Sequence, residues 1–116
     1  GAVLEFTKGY GDKFALETDP FMAASGADIL ITDTWTSMGE EAEKEERKKI
    51  FKDYQINRQL LAAANAGAMV QHCLPAYRGQ EITEEVFEEH ADEIFNEAEN
   101  RLHAQKAVMV KLMKKD

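Results

Sequence analysis

Two short apolar segments, each ending in reactive polar residues, constrain the fold of this chain most strongly. Ile29–Thr32 is a continuous, β-branched-rich run that ends at Asp33, and the apolar run 68–70 begins a predicted strand, 68–72, that is followed by Cys73. An uninterrupted run such as Ile29–Thr32 is typical of a strand covered on both faces. The segment between them is long and has a helical pattern, so the two strands should run parallel with a right-handed crossover. The sequence therefore predicts an α/β fold, a parallel sheet with flanking helices.

The other elements are predicted from caps and charge patterns. Asp19, Asn57 and Thr83 stand where N-caps are favoured, and glutamates precede Lys or Arg by four residues through 40–51. The predicted elements are a helix tail at 2–8, a strand at 14–18, a helix at 20–24, a strand at 29–32, helices at 40–51 and 58–64, a strand at 68–72, a helix after Thr83, a short strand at 94–95 and a helix at 99–113.

Composition limits the kind of protein this is. The chain has 116 residues and 44% hydrophobic content, enough for one modest core. Its 22 acidic and 14 basic residues give a net charge of -8, which opposes nucleic acid or an anionic membrane as a partner. One cysteine excludes an internal disulfide, and no apolar run approaches the roughly 20 residues that cross a bilayer. We expect one domain in a reducing, soluble compartment, the cytoplasm.

Polar residues that follow parallel strands should face a common crevice, because the carboxyl ends of those strands lie at one edge of the sheet. Here they are Asp33, Cys73 and the segment 97–101. Each also suits a structural role, since Cys is often buried inertly and a strand-end Asp often caps a turn. A dedicated zinc site is not expected, because the chain has no second Cys and no His at ligand spacing from the first. No metal or other cofactor is predicted.

Three longer motifs around these residues carry a family resemblance. They are Asp33-Thr34-Trp35-Thr36-Ser37-Met38-Gly39, His72-Cys73-Leu74-Pro75-Ala76 with Arg78-Gly79, and Glu97-Ala98-Glu99-Asn100-Arg101-Leu102-His103-Ala104-Gln105. In order and spacing they resemble the ornithine-binding half of the carbamoyltransferases, the ornithine carbamoyltransferases in particular. The resemblance implies that 1–116 is part of a Rossmann-like ornithine-binding domain, including its C-terminal helix and lacking its first strands. The Ser-Met-Gly element implies ornithine rather than aspartate, putrescine or N-acetylornithine.

The resemblance implies a reaction and residues that serve it. A carbamoyl group would pass from carbamoyl phosphate to the δ-amine of L-ornithine, giving L-citrulline and phosphate. Asp33 is similar to the family aspartate that holds the α-ammonium group. Ser37 and Met38 resemble a mobile loop that closes over ornithine, with an ordinary surface loop as the alternative. Arg101 resembles the arginine that contacts the carbamoyl oxygen, with a salt bridge to a neighbouring glutamate as its alternative.

The tetrapeptide His72-Cys73-Leu74-Pro75 resembles the family segment beside the reacting amine. Cys73, as a polarizable thiol or as a thiolate with a depressed pKa, would accept or steer the amine's proton. The alternative is positional, with the carbonyl groups of Cys73 and Leu74 orienting the substrate. His72 either fixes the loop or contacts the carbamoyl group. The resemblance also implies a cis Leu74–Pro75 bond.

Family elements that the chain lacks leave two hypotheses. Neither the Ser-Thr-Arg-Thr loop of the carbamoyl-phosphate-binding domain nor a His-Pro-x-Gln segment occurs in it. In the first hypothesis the chain is part of a carbamoyltransferase, a homo-oligomer built on trimers, and is active only with the missing parts. In the second it is a non-catalytic half-domain that self-associates, for example as a strand-swapped dimer, through the unpaired edge of Ile29–Thr32.

Overall fold

Helices surround a small sheet in the computed structural model, which describes residues 1–36 and 43–114. The helices are α1 (Ala2–Thr7), α2 (Pro20–Ala24), α3 (Lys44–Phe51), α4 (Arg58–Leu61), α5 (Glu84–Glu89) and α6 (Ala91–Met113), with 3₁₀ segments at Lys8–Lys13 and Lys52–Tyr54. The predicted caps Asp19, Asn57 and Thr83 each accept backbone N–H groups at the start of α2, α4 and α5. None of the described helices is both long and apolar enough to cross a membrane.

The sheet consists of β1 (Ile29–Thr32) and β2 (Met69–His72), which pair in parallel. Ile29 lies opposite Met69 and Thr32 lies opposite His72. Helices α3 and α4 lie in the connection between the strands, as the crossover requires. The α/β class with a parallel sheet and flanking helices is therefore confirmed.

The core gathers apolar side chains from both strands, from α2, α4 and α5, and from the start of α6. Val70, Ile82, Val86 and Ile94 have no exposed surface, and Phe87 is also buried, so the predicted inward face of α5 is confirmed. The apolar side chains of α1 and of the second half of α6 are exposed instead. The core thus lies between the sheet and the helices α2, α4, α5 and the start of α6.

Residues 14–18 do not form a strand, contrary to the prediction. Phe14 has an extended backbone, but no described strand pairs with this segment, and Phe14 and Leu16 are exposed. An alternating pattern forms a stable strand only where a neighbour supplies hydrogen bonds and a covered face. Within the described residues β1 pairs with β2 alone, so the opposite edge of β1 is open.

The predicted strand at Ile94 and Phe95 is also wrong, because both residues belong to α6. The N–H of Ile94 donates to the carbonyl of His90 at 3.1 Å, and the Phe95 ring meets the Phe87 ring edge-on at 6.0 Å. Two adjacent apolar residues do not distinguish a buried helix from a strand, and the surrounding Glu and Ala favour helix. Helix α6 therefore begins at Ala91 rather than Glu99.

The other helix boundaries shift less. Helix α4 ends at Leu61, before the predicted end at Ala64. The predicted start of the charged helix at Glu40 lies outside the described residues.

Glu93 of α6 accepts a backbone N–H from β2 on the edge that faces away from β1. Its Oε2 accepts the N–H of Val70 in β2 at 2.8 Å and contacts Nδ1 of His90 at 2.9 Å. Burial alone would raise the pKa of Glu93, but the Val70 N–H and the His90 ring outweigh it, so the pKa lies below its usual value.

Glu93→Ala should lower the free energy of unfolding by about 1–3 kcal/mol, because the buried Val70 N–H loses its acceptor. Since the folded-state pKa is the lower one, the carboxylate stabilises the fold above its unfolded pKa of about 4.3 and loses that effect as pH falls through the folded pKa. Urea unfolding at neutral pH and in acid measures both effects. The exposed Asp92→Ala is the control, and an equal loss in both variants at neutral pH would contradict the assignment.

Candidate functional site

Asp33 and Cys73 meet at the carboxyl edge of the sheet. The Sγ atom of Cys73 lies 3.4 Å from Oδ1 of Asp33, and both side chains are exposed. The parallel register permits this approach, since Thr32 and His72 are opposite each other and the next residue of each strand leaves the sheet at the same level. The result is a solvent-accessible pair of a carboxylate and a thiol.

The pKa of the Cys73 thiol is raised. Partial burial of the thiol is the main cause. The hydrogen bond to Asp33, the negative charge of Asp33 and the negative charge of Glu97 raise the pKa further. This direction opposes the thiolate alternative for Cys73 and leaves the thiol alternative, because thiolates are stabilised by cations or helix N-termini and Cys73 faces carboxylates. At neutral pH Cys73 is a thiol that donates its S–H to Asp33.

Helix α6 brings Glu97, the first residue of the predicted site segment 97–101, to the site. The Oε2 atom of Glu97 is buried and has no hydrogen-bond partner in the described part of the chain. Arg101 follows one turn later on the same face of α6 and is exposed.

Arg101 makes no hydrogen bond or ion pair with the described residues, so its alternative salt bridge to Glu97 or Glu99 is not formed there. Glu99 lies 3.4 Å from His103 instead. The structure thus places Arg101 one helical turn from Glu97 but shows no contact of its guanidinium with Asp33 or Cys73.

His72 lies inside the protein behind Cys73, with no exposed surface. Its Nδ1 accepts the N–H of Leu74 at 3.0 Å, and its Nε2 lies 3.1 Å from Oε1 of Glu81. Because a backbone N–H occupies Nδ1, the ring proton is on Nε2, which donates to Glu81. Glu81 is also fully buried, and no sequence signal indicated it, because Glu is rarely buried and Glu81 does not follow a strand.

The loop after β2 has an unusual backbone. The Leu74–Pro75 peptide is cis, as predicted, and Leu74 itself has φ 58°. A non-glycine residue in this left-handed region costs roughly 1–3 kcal/mol, and the N–H bond from Leu74 to His72 stabilises it here. Further along, the N–H of Tyr77 donates to Glu81, and Lys44 of α3 lies 5.2 Å from the Tyr77 ring centroid.

Helix α3 anchors the turn after β1. Arg47 donates to the carbonyl of Trp35 at 3.4 Å, and the Trp35 ring stacks on Phe51 at 6.3 Å. The N–H of Thr34 donates to Oδ1 of Asp33, so the turn-capping role of Asp33 is present beside its contact with Cys73. The predicted substrate-binding residues Ser37 and Met38 lie outside the described residues.

Asp33, His72 and Cys73 place ligand-type atoms within 4.8 Å of one another. Both ring nitrogens of His72 already have hydrogen-bond partners, and Oδ1 of Asp33 already accepts from Thr34 and Cys73. A cation would have to displace these bonds, so we assign no metal to this cluster.

These features define an α/β domain with a candidate ligand site at the carboxyl ends of its parallel strands. The carboxylates of Asp33 and Glu97 make the site acidic, which suits a ligand with positively charged amines.

The chain belongs to the aspartate/ornithine carbamoyltransferase family, since residues 2–112 match the family's Asp/Orn binding domain. It is 54% identical over 112 residues to an ornithine carbamoyltransferase of a Nitratiruptor species, an alignment that covers 97% of this chain and 36% of that protein. The crystal structure of anabolic ornithine carbamoyltransferase from Campylobacter jejuni subsp. jejuni matches with a TM-score of 0.80 and 52% identity over 84% of this chain and 32% of that one. An acetylornithine transcarbamylase complexed with acetylcitrulline matches with a TM-score of 0.64 and 30% identity, over 84% of this chain and 30% of that one.

The resemblance seen in the motifs is thereby confirmed. The chain spans about a third of the length of the relatives it matches.

Proposed function

We propose that this chain is part of the ornithine-binding domain of an ornithine carbamoyltransferase, whose carbamoyl-phosphate-binding domain lies outside 1–116. Ornithine is favoured over N-acetylornithine because eight relatives at 50–58% identity are all ornithine carbamoyltransferases, whereas the acetylornithine enzyme is 30% identical. By this proposal the complete enzyme transfers a carbamoyl group from carbamoyl phosphate to the δ-amine of L-ornithine, yielding L-citrulline and phosphate, and is a homo-oligomer based on trimers.

The observation that carries this proposal is the 3.4 Å contact between Asp33 and Cys73. Ornithine carries an α-ammonium group at one end and a δ-amine at the other. The exposed carboxylate of Asp33 offers the α-ammonium a charge-assisted hydrogen bond, which orients the amino acid. Glu97 adds a second negative charge to the same site and so favours a cationic ligand.

The chemistry requires a neutral δ-amine. Its nitrogen attacks the carbonyl carbon of carbamoyl phosphate, the bond from that carbon to the phosphate oxygen breaks, and the nitrogen loses a proton. Because the pKa of Cys73 is raised, we assign this thiol to positioning the amine rather than to the role of base. In this proposal the carbonyls of Cys73 and Leu74 orient the amine and Arg101 stabilises the charge on the carbamoyl oxygen.

The residues around this pair complete the proposed site. His72 fixes the loop from within, through its bond to Leu74. Ser37 and Met38 would close over the bound ornithine, as their resemblance implies.

A chimera tests the proposal, in which residues 2–112 replace the matching segment of the Campylobacter jejuni enzyme. We expect the purified chimera to form L-citrulline from L-ornithine and carbamoyl phosphate, and to form no product from N-acetylornithine. The 116-residue chain by itself should form none, because it has no phosphate-binding loop. A folded chimera that forms no citrulline, or that prefers N-acetylornithine, would sink the proposal.

The open edge of β1 favours a second candidate, a non-catalytic half-domain that pairs with a second copy of itself. Ile29 and Ile31 are exposed beside this edge, and its four residues carry no charge that would repel a copy. Sedimentation of the 116-residue chain would then show a dimer, and Ile31→Lys would make it a monomer. Citrulline formation by the chimera together with a monomeric chain would rule this candidate out.

A further inference from the structure

A buried carboxylate stands behind the loop that carries Cys73. Glu81 has no exposed surface, yet it lies eight residues beyond Cys73 in a connection between β2 and α5. Its Oε1 contacts two donors, the backbone N–H of Tyr77 and Nε2 of His72. Burying a carboxylate is costly unless it is hydrogen-bonded, so a fully buried Glu indicates that its acceptor oxygen stabilises the surrounding structure.

The hydrogen bonds form a relay from Glu81 to the loop backbone. Because Glu81 is an acceptor, it requires the proton of His72 on Nε2, which leaves Nδ1 free to accept the Leu74 N–H at 3.0 Å. That bond fixes Leu74 in its left-handed conformation directly after Cys73. The second bond, from Tyr77, fixes the far end of the same loop.

The backbone of Glu81 is itself held from the other side. Its carbonyl accepts the N–H of Ile56 at 2.9 Å, and the N–H of Thr83 donates to the Ile56 carbonyl at 3.0 Å. The neighbouring Ile82 is fully buried in the core. The backbone of Glu81 is therefore hydrogen-bonded beside the core, and its carboxylate is hydrogen-bonded to the loop.

We propose that Glu81 is a positioning residue of the site, which holds Cys73 beside Asp33. It selects the His72 tautomer that accepts the Leu74 N–H at the start of the loop, and it accepts the Tyr77 N–H at the end of the loop. What the positioned loop binds rests on the proposed function, whereas the relay is a property of this chain alone. Among the residues that the structure describes, the charged and titratable groups around Cys73 are Asp33 after β1, Glu97 on α6, and the pair of His72 and Glu81 behind it.

The variants follow from the use of a single oxygen. Since Oε1 accepts both donors and Oε2 has no partner in the described part of the chain, Glu81→Gln retains both bonds through its amide oxygen. Glu81→Met has a similar length and removes the acceptor. Glu46→Met, at an exposed position on α3, is the matched control.

The readout is the pH dependence of Cys73 alkylation by iodoacetamide, which is specific because the chain has one cysteine. In Glu81→Met we expect Cys73 to move away from Asp33, so that the midpoint falls by about half a pH unit or more and the thiolate fraction at pH 7.5 rises about threefold. Glu81→Gln and Glu46→Met should keep the parent profile. Because unfolding would also separate Cys73 from Asp33 and lower the midpoint, the comparison is made under conditions where urea unfolding shows each variant to be folded.

The nitrogen chemical shifts of His72 provide a test that needs no variant. We expect the parent chain to show a neutral imidazole protonated on Nε2 at pH 7.5. A proton on Nδ1, an unchanged alkylation midpoint in a folded Glu81→Met, or a Gln variant that behaves like Met would each overturn the proposal. No substrate enters either measurement, so failure of the relay and failure of the chimera to make citrulline are separate outcomes.

Discussion

Replacing Arg101 with alanine should lower the turnover of the chimeric enzyme by about 100-fold or more, as loss of a donor to a developing oxyanion does. Arg101 is exposed on α6, one turn beyond Glu97, and makes no hydrogen bond or ion pair with the described residues. Its guanidinium is therefore not committed there to a structural contact. Because negative charge builds on the carbamoyl oxygen only as the amine attacks, kcat should fall while KM for ornithine changes little.

Steady-state kinetics with both substrates separate this role from a general effect on the helix. Lys106→Ala is the matched control, since Lys106 is another exposed cation of α6. Its turnover should equal that of the parent chimera. An Arg101→Ala chimera with parental turnover would remove Arg101 from the catalytic group, and a rise in KM alone would make it a binding residue.

The central part of this fold was predictable because it depends on local patterns. Two apolar runs separated by a helical segment define parallel strands, and parallel pairing then forces Asp33 and Cys73 to one edge. The two wrong strand predictions concern segments whose structure depends on the neighbours they pack against. Residues 14–18 alternate as a strand does but have no described neighbour, and Ile94 is as apolar in a helix as in a strand.

The chemistry of the candidate site was less predictable than its position. The Cys73 pKa depends on which charges surround the thiol, and the approach of Glu97 is a property of how α6 packs on β2. Glu81 was missed for a related reason, since burial of a glutamate depends on two donors that come from elsewhere in the loop. Short motifs identify residues, whereas their electrostatics follow from packing.

Asp33→Asn should raise the KM of the chimera for L-ornithine by roughly 10- to 100-fold, the value of about 1.5–3 kcal/mol for a hydrogen bond to a charged group. Asparagine keeps the side-chain oxygen that accepts the Thr34 N–H, so the turn after β1 should remain in place. The substitution removes the negative charge and replaces the second acceptor oxygen with an NH2 donor. Turnover at saturating ornithine should change less than KM, since the contact orients the α-ammonium end and not the reacting amine.

The same variant alters Cys73, which provides an independent check that the two residues are in contact. Asp33 raises the pKa of the thiol, so Asp33→Asn should lower the midpoint of Cys73 alkylation. Asp28→Asn, before β1 and bonded to Asn65 at 2.7 Å, is the control and should change neither KM nor the midpoint. A lower midpoint with an unchanged KM would mean that Asp33 touches Cys73 without holding ornithine. Because the strand register places these two residues at one edge of the sheet whatever the ligand, that outcome would retain the geometry of the site and reject its proposed substrate contact.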